Sequence, residues 1–364
     1  MAMVQIFLAA QLLAVVAARC EVGDLDGRSC LESDGQGMLQ LQGHPKTEET
    51  GEQEAELPNQ TIGRALGSGR EFEPNVWAPK FESTGPQRLQ LSCRGASFLD
   101  CWNFYTLPDP THGYLQYISK EKALELKLFK VEEYDTVYIG AGVGWSEPPK
   151  TIRLQSRNSF KAGHMFVIDI AHMPTGWGTW PAWWSTGPDW PNHGEIDMAE
   201  TIHYRDQAIM ALHTSPGCKV EGMGDCNKLG GITGCAKKSP HGSASVGFNE
   251  GGGGVFATEW TSWGIRMWVF HRWEIPADLA ADQPDTSRWG KPSVKVKFGD
   301  KCPSWHFDDQ IMVLNLAFCG DYAGEDGFDG GREACNRYVS VPAAQQYLKE
   351  AYWRLNYVKV FAAY

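Results

Sequence analysis

Three carboxylates fall within six residues of one short segment, WPNHGEIDMAE at residues 190–200. They are Glu195, Asp197 and Glu200, and the tryptophans and apolar residues around them disfavour a solvated, charged strand edge. Two carboxyls about 5 to 5.5 Å apart can cleave a glycosidic bond with retention, because one attacks the anomeric carbon while the other protonates the leaving oxygen. A third carboxylate between them can hold the nucleophile and keep the acid protonated. The segment therefore predicts the chemistry of retaining glycoside hydrolysis.

A β-strand must position these acids, because side chains alternate between its two faces. Glu195 and Asp197 then point the same way, whereas Glu200 lies five residues from Glu195 and would point to the opposite face. One β-bulge adds a residue to the count and returns Glu200 to the shared face. We expect Met198 or Ala199 to form this bulge.

The chain from residue 76 onward contains many short, alternating apolar runs separated by Gly, Pro, Asp and Asn, and no long amphipathic helix is evident among them. This pattern predicts an all-β fold built as a sandwich or jelly roll of antiparallel sheets. One short helix is expected within PAAQQYLKEAYW at 342–353. The runs predicted as strands are 124–131, 137–143, 166–173, 208–215, 254–260, 265–272, 311–318 and 354–361.

The N-terminal residues differ from the rest in composition. Residues 1–18 form a short apolar run ending in small residues, which indicates a secretory signal peptide and a secreted protein, with no membrane span. Residues 19–75 are acidic: positions 21–75 hold 12 Asp or Glu against four Lys or Arg. We interpret this segment as a disordered leader, which leaves residues 76–364 as one catalytic domain.

Cysteine content and charge limit the class of protein further. The ten cysteines include no C-x-x-C pair, so disulfides in an oxidising compartment are favoured over zinc, although the spacing does not reveal the pairing. Residues 76–364 carry 32 acidic against 28 basic side chains. This near-neutral balance argues against nucleic acid or an anionic membrane as a partner.

Tryptophan-rich motifs extend the pattern beyond the acids. GTWPAWW and GEIDMAE resemble the active-site region of glycoside hydrolase family 16, in its fungal-type laminarinase or endo-1,3(4)-β-glucanase branch. The other motifs resemble that family in the same order along residues 77–364. They are DPTHGYLQY at 109–117, ALHTSPGC at 211–218, FNEGGGGVFATEWT at 248–261, NLAFCGDYAG at 315–324 and AYWRLNYVKVF at 351–361.

The resemblance implies a β-jelly-roll with an open cleft, a β-glucan as substrate, and roles for individual residues. Glu195 resembles the nucleophile, Glu200 the general acid/base, and Asp197 the carboxylate that assists the nucleophile. The resemblance also implies four substrate-binding residues: Trp184, Trp190, His213 and Tyr322. For His213 an alternative remains open, namely a hydrogen-bonded histidine that packs in the core and does not bind substrate.

Cofactors and alternative functions follow from the same comparison. Carboxylates alone suffice for the chemistry, so no cofactor or catalytic metal is required, whereas many family members carry a structural calcium ion. We expect a monomer. Three alternatives remain: a transglycosylase that uses the same chemistry, a non-catalytic glucan-binding protein and a structural matrix protein. Because all three acids are present, the sequence argues against the last two.

Overall fold

The computed structural model of this protein describes residues 87–142, 147–229 and 234–363. The predicted signal peptide at 1–18 and acidic leader at 19–75 lie outside these ranges. The predicted domain at 76–364 is therefore described from Gln87 onward.

Antiparallel strands dominate the described residues, as the alternating runs predict. The strands are β1 Arg88–Cys93, β2 Trp102–Phe104, β3 Gln116–Tyr117, β4 Phe129–Val131, β5 Val137–Gly140, β6 Lys150–Thr151, β7 Arg153–Phe160, β8 His164–His172, β9 Thr179–Thr186, β10 Glu195–Glu200, β11 Ile209–His213, β12 Lys219–Val220, β13 Gly224–Asp225, β14 Cys235–Lys238, β15 Gly254–Thr261, β16 Gly264–His271, β17 Val294–Lys297, β18 Gln310–Phe318 and β19 Tyr352–Ala362.

Two large sheets contain most of these strands. One has the order β17-β16-β15-β8-β19-β5-β4, with β1 paired to β19, and the other has the order β14-β11-β10-β9-β18-β7-β2. Apolar side chains from both sheets form a continuous core that includes Trp183 and Trp353, each 0% exposed. This architecture confirms the predicted all-β jelly roll and places the acid-bearing strand β10 inside the seven-stranded sheet.

The α-helices are short and lie between strands. They are α1 Lys120–Glu125, α2 Ser245–Glu250, α3 Ala277–Ala280, α4 Gly331–Ser340 and α5 Ala344–Tyr347. Helix α5 confirms the short helix predicted within 342–353. No helix within the described ranges is long and apolar enough to cross a membrane.

Helix α1 corrects one predicted strand, residues 124–131, of which only Phe129–Val131 forms a strand. The Ser119 side chain accepts a hydrogen bond from the Lys122 backbone N–H and caps the helix. Leu124 and Leu126 are 47% and 38% exposed, so the alternating leucines do not face a core. The helix cap, rather than the apolar alternation, determines the secondary structure at the start of this segment.

Four disulfides link the described cysteines: Cys93–Cys101, Cys218–Cys302, Cys226–Cys235 and Cys319–Cys335. Two of them anchor segments that adjoin β11 and β18, which belong to the same sheet as β10. Cys218–Cys302 joins the loop after β11 to the loop before β18, and Cys319–Cys335 joins the end of β18 to α4.

Candidate active site

The three acids occupy β10, and the predicted bulge separates them. Asp197 pairs with Trp184 on β9 and Ala199 pairs with Trp183, so Met198 is the additional residue. Ile196 and Met198 are fully buried and belong to the core between the sheets. The bulge therefore sends the apolar side chains inward and leaves Glu195, Asp197 and Glu200 on the opposite face.

His213 lies beside two of the acids, because it pairs with Glu195 across strands β10 and β11. Its Nε2 atom is 2.9 Å from Oδ2 of Asp197 and 3.7 Å from Oε1 of Glu195. The structure thus places His213 in the acid cluster rather than in the core between the sheets.

Glu200 has an aromatic neighbour that the sequence analysis did not single out. The indole Nε1 of Trp180 donates a hydrogen bond of 2.6 Å to Oε1 of Glu200. Tyr322 packs edge-on against Trp180 at 5.7 Å between ring centroids, and its hydroxyl accepts a hydrogen bond from Nη1 of Arg205 at 2.8 Å. Tyr322 is therefore close to Glu200, where the motif resemblance implied a substrate contact.

Glu195 lies near Trp190, whose side chain donates a hydrogen bond to this carboxyl and favours its charged form. The rest of Trp190 is open, since the residue is 45% exposed. Trp190 thus combines a contact to the acid cluster with an accessible aromatic surface.

Trp184 is fixed by residues on two neighbouring strands. Its Nε1 donates a hydrogen bond of 2.7 Å to Oδ1 of Asn315, and the guanidinium of Arg153 lies 5.0 Å from its ring. Arg153 is also 4.5 Å from the ring of Tyr105. The sequence analysis did not identify Arg153 or Asn315 as neighbours of Trp184. The sheet order β9-β18-β7 brings them together, and their local sequence does not reveal this order.

Two glycines permit close approaches in this region. A Cβ atom on Gly194, which precedes Glu195, would lie 2.5 Å from the carbonyl oxygen of His306, and its φ is +72°. A Cβ atom on Gly234 would lie 2.2 Å from Nδ1 of His213. A larger residue at either position would displace an acid-bearing strand or the histidine.

Burial raises the pKa of all three carboxyls, because removal from water disfavours the charged form. The pKa rises to about 8 for Glu195 and to about 7 for Asp197 and for Glu200. The charge of Asp197 adds to the rise at both glutamates, whereas Lys228 lowers the pKa of Asp197 and of Glu200. The cluster therefore retains protons at pH values at which exposed carboxyls have lost them.

One group of three metal-binding side chains occurs within the part of the chain that the structure describes. It consists of Glu195, Asp197 and His213, whose ligand atoms lie within 4.8 Å of one another. Within the described residues the Gly/Asp-rich segment 324–331 forms no such group, and Oε2 of its Glu325 lies 3.6 Å from Nε of Arg332. The structural calcium ion implied by the motif resemblance stays a prediction.

The fold and motifs match a known family. The family model described as the XgeA-like, catalytic GH16 domain matches residues 102–361, which is more than half of the chain. The chain belongs to glycoside hydrolase family 16.

Other members of family 16 are similar over most of this chain. A probable endo-1,3(4)-β-glucanase of Aspergillus fumigatus is 37% identical over 313 residues, which cover 79% of this chain and 47% of that protein. The chain thus spans about half the length of this relative.

Two solved structures of family 16 proteins resemble the fold. A β-1,3-glucosyltransferase described as elongating has a TM-score of 0.71 and 33% identity, and covers 76% of this chain and 100% of its own. Laminarinase 16A of Phanerochaete chrysosporium, with β-glucans in donor and acceptor sites, has a TM-score of 0.70 and 31% identity over the same shares. The family is therefore established by sequence and by fold.

The raised pKa values predict a pH-dependent cost to folding. The folded-state pKa of Glu195, about 8, exceeds the usual value of 4.5. Between these pH values the folded state therefore binds more protons than the unfolded state, and the stability of the protein falls as the pH rises through this window. Glu195→Gln removes this titration. We expect its unfolding free energy, relative to the wild type, to increase by about 1–3 kcal/mol between pH 4.5 and pH 8.5, measured by denaturant titration.

Glu333→Gln is the matched control, because the Glu333 side chain is 92% exposed. Its stability should follow the pH dependence of the wild type. A Glu195→Gln curve parallel to that of the wild type would contradict the raised pKa.

Proposed function

We propose that this protein is a secreted, retaining endo-β-glucanase that hydrolyses β-1,3- or mixed-linkage β-1,3(1,4)-glucans. The observation that carries the proposal is the set of three carboxyls, one buried and two half-buried, on one face of the bulged strand β10, in a chain that belongs to family 16. The names of its relatives, endo-1,3(4)-β-glucanase and laminarinase, support the substrate class. Four disulfides are compatible with secretion, because they persist in oxidising compartments.

In the proposed first step, a carboxylate oxygen of Glu195 attacks the anomeric carbon while the glycosidic bond breaks. Glu200 donates its proton to the departing oxygen, so the step leaves a glycosyl-enzyme ester and an ionised Glu200. In the second step Glu200 takes a proton from water, whose oxygen attacks the anomeric carbon and releases Glu195. Both carboxyls return to their starting state.

This reaction requires an ionised Glu195 and a protonated Glu200, whereas the pKa of Glu195, about 8 with the effects of Trp190 and His213 included, is the highest in the cluster. The hydrogen bond from Trp190 and the nearby His213 both favour the charged form of Glu195. Asp197 lies between the glutamates in sequence. When its carboxyl is protonated, it can donate a hydrogen bond to Glu195. When Asp197 is charged, it favours the protonated form of Glu200.

The aromatic residues around the acids fit a carbohydrate substrate. Sugar rings present C–H faces that pack against aromatic rings, and their hydroxyls require polar partners. We assign Trp184, Trp190 and Tyr322 to such stacking contacts. We assign His213 to a polar contact beside the reacting sugar.

A transglycosylase is the second candidate, and one observation favours it. A family 16 β-1,3-glucosyltransferase shares the fold with a TM-score of 0.71. The two activities share the glycosyl-enzyme and differ in whether water or a sugar hydroxyl accepts the glycosyl group. Mass analysis of products from a β-1,3-linked oligosaccharide separates them, since transfer yields products longer than the starting chain.

Two substitutions should separate the roles of the glutamates. Glu195→Gln should lower kcat/KM on a β-1,3-glucan by at least about 1,000-fold, because the amide is not a nucleophile. Glu200→Ala should strongly lower the rate of glucan hydrolysis and lower much less the rate for an aryl glycoside with a good leaving group. Azide should restore part of the activity of this variant. Glu333→Gln should match the wild type in the same assays.

Full activity in Glu195→Gln would exclude the proposed mechanism. If Glu200→Ala lost equal activity on both substrates and azide did not rescue it, another residue would be the proton donor.

The hydrogen bond from Trp180 to Glu200 should tune the pH optimum. Trp180→Phe removes a donor that stabilises the charged carboxylate, so the pKa of Glu200 should rise. We expect the optimum of kcat/KM to shift upward by about 0.5–1 pH unit. Trp263→Phe is the control, because Trp263 is 67% exposed on a turn, and an unchanged or lower optimum in Trp180→Phe would contradict this role.

A further inference from the structure

A broad cavity of about 770 Å³ lies outside the acid cluster. Its volume is within the range of small-molecule and cofactor sites. Its lining comes from the turn between β7 and β8, the end of β15, the loop before β10 and the segment before β18. The lining includes Lys161, Asn192, His193, Ser262, Trp305 and Asp308.

Trp305 gives this cavity an accessible aromatic surface, since the residue is 61% exposed. Its ring stacks on His306 with 3.8 Å between centroids and 28° between planes. His306 is fully buried, and its Nδ1 lies 3.2 Å from Oγ of Ser215. One face of the indole is therefore supported by a fixed ring, while the remainder faces solvent.

The other lining groups are polar but balanced in charge. Nζ of Lys161 lies 3.4 Å from Oδ1 of Asp308, which pairs the charged groups of the lining. Ser262 and Ser304 contribute hydroxyls, and Asn192 contributes an amide. Hydroxyl, amide and paired charges beside an indole face suit a neutral polyhydroxylated ligand better than an ion.

The cavity is also continuous with the segment that leads into the catalytic strand. Asn192 and His193 lie between Trp190 and Glu195, so the same loop borders the acid cluster and the cavity. Nε2 of Gln310 donates hydrogen bonds to the carbonyl oxygens of His193 and Gly194 at 2.6 and 3.2 Å, which fixes this loop to β18. The acid cluster and the cavity therefore share one loop.

We propose that the cavity around Trp305 is a second β-glucan-binding site, which holds a polymer chain without taking part in bond cleavage. The ligand class rests on the proposed function. A site of this kind increases the local concentration of a long or insoluble polymer at the acids and offers nothing to a short oligosaccharide that fits the acid site alone.

The binding test uses Glu195→Gln, so that the bound glucan is not cleaved. We expect Trp305→Ala in this background to weaken binding to insoluble β-1,3-glucan by at least about fivefold in a sedimentation assay. Trp273→Ala is the matched control, because Trp273 is 72% exposed and stacks on His271 at 5.1 Å, yet does not line the cavity.

The activity test uses the otherwise wild-type enzyme. Trp305→Ala should lower the rate on insoluble β-1,3-glucan by a similar factor and leave kcat/KM on a β-1,3-linked pentasaccharide unchanged. Equal behaviour of Trp305→Ala and Trp273→Ala on the polymer would overturn the second site, as would equal losses on polymer and pentasaccharide.

The two proposals fail in different ways. If the wild type cleaves no glucan, the proposed catalytic function is wrong, and the sedimentation assay still decides whether Trp305 binds the polymer. If cleavage is normal and only the Trp305 effect is missing, the second site alone is wrong.

Discussion

Removal of three carboxyl groups from water on one strand is the constraint on which the site depends. Burial alone would protonate all three, and an entirely protonated cluster has no nucleophile. The surrounding residues offset this unequally. Trp190 and His213 favour charge on Glu195, and Trp180 favours charge on Glu200. The resulting pKa values, about 7 to 8, let the three carboxyls share protons near neutral pH, so that one can be ionised while another stays protonated.

The sheet supplies the geometry that these electrostatics require. Without the bulge at Met198, Glu200 would face the core and an apolar residue would replace it among the acids. The neighbouring strands complete the arrangement, because β9 carries Trp180 and Trp184 and β11 carries His213. The register of β9, β10 and β11 therefore decides both which groups meet and which of them are buried.

Much of this arrangement could be predicted from the sequence, because it depends on local spacing. Alternation within GEIDMAE predicted the bulge, and the apolar runs predicted β5, β8, β11, β15, β16, β18 and β19, but not β7, β9 or β17. Partners on distant strands could not be predicted in this way. Arg153 and Asn315 reach Trp184 only through the sheet order, and α4 was missed because only Cys335 and Val339 of its ten residues are buried.

The roles of individual acids required the family resemblance, because spacing places three similar carboxyls together without ranking them. The structure adds the contacts that distinguish them, such as Trp180 at Glu200 and Trp190 at Glu195. It also shows Trp305 at a cavity that no sequence motif marks, since its neighbours come from four separate segments of the chain.

The stereochemistry of the first product tests the central claim most directly. Double displacement through Glu195 inverts the anomeric carbon twice, so a β-linked glucan must release a reducing end in the β configuration before it mutarotates. We expect time-resolved proton NMR of the wild type with a β-1,3-linked hexasaccharide to show the β-anomer first. Initial formation of the α-anomer would mean a single displacement by water and would contradict a covalent intermediate on Glu195.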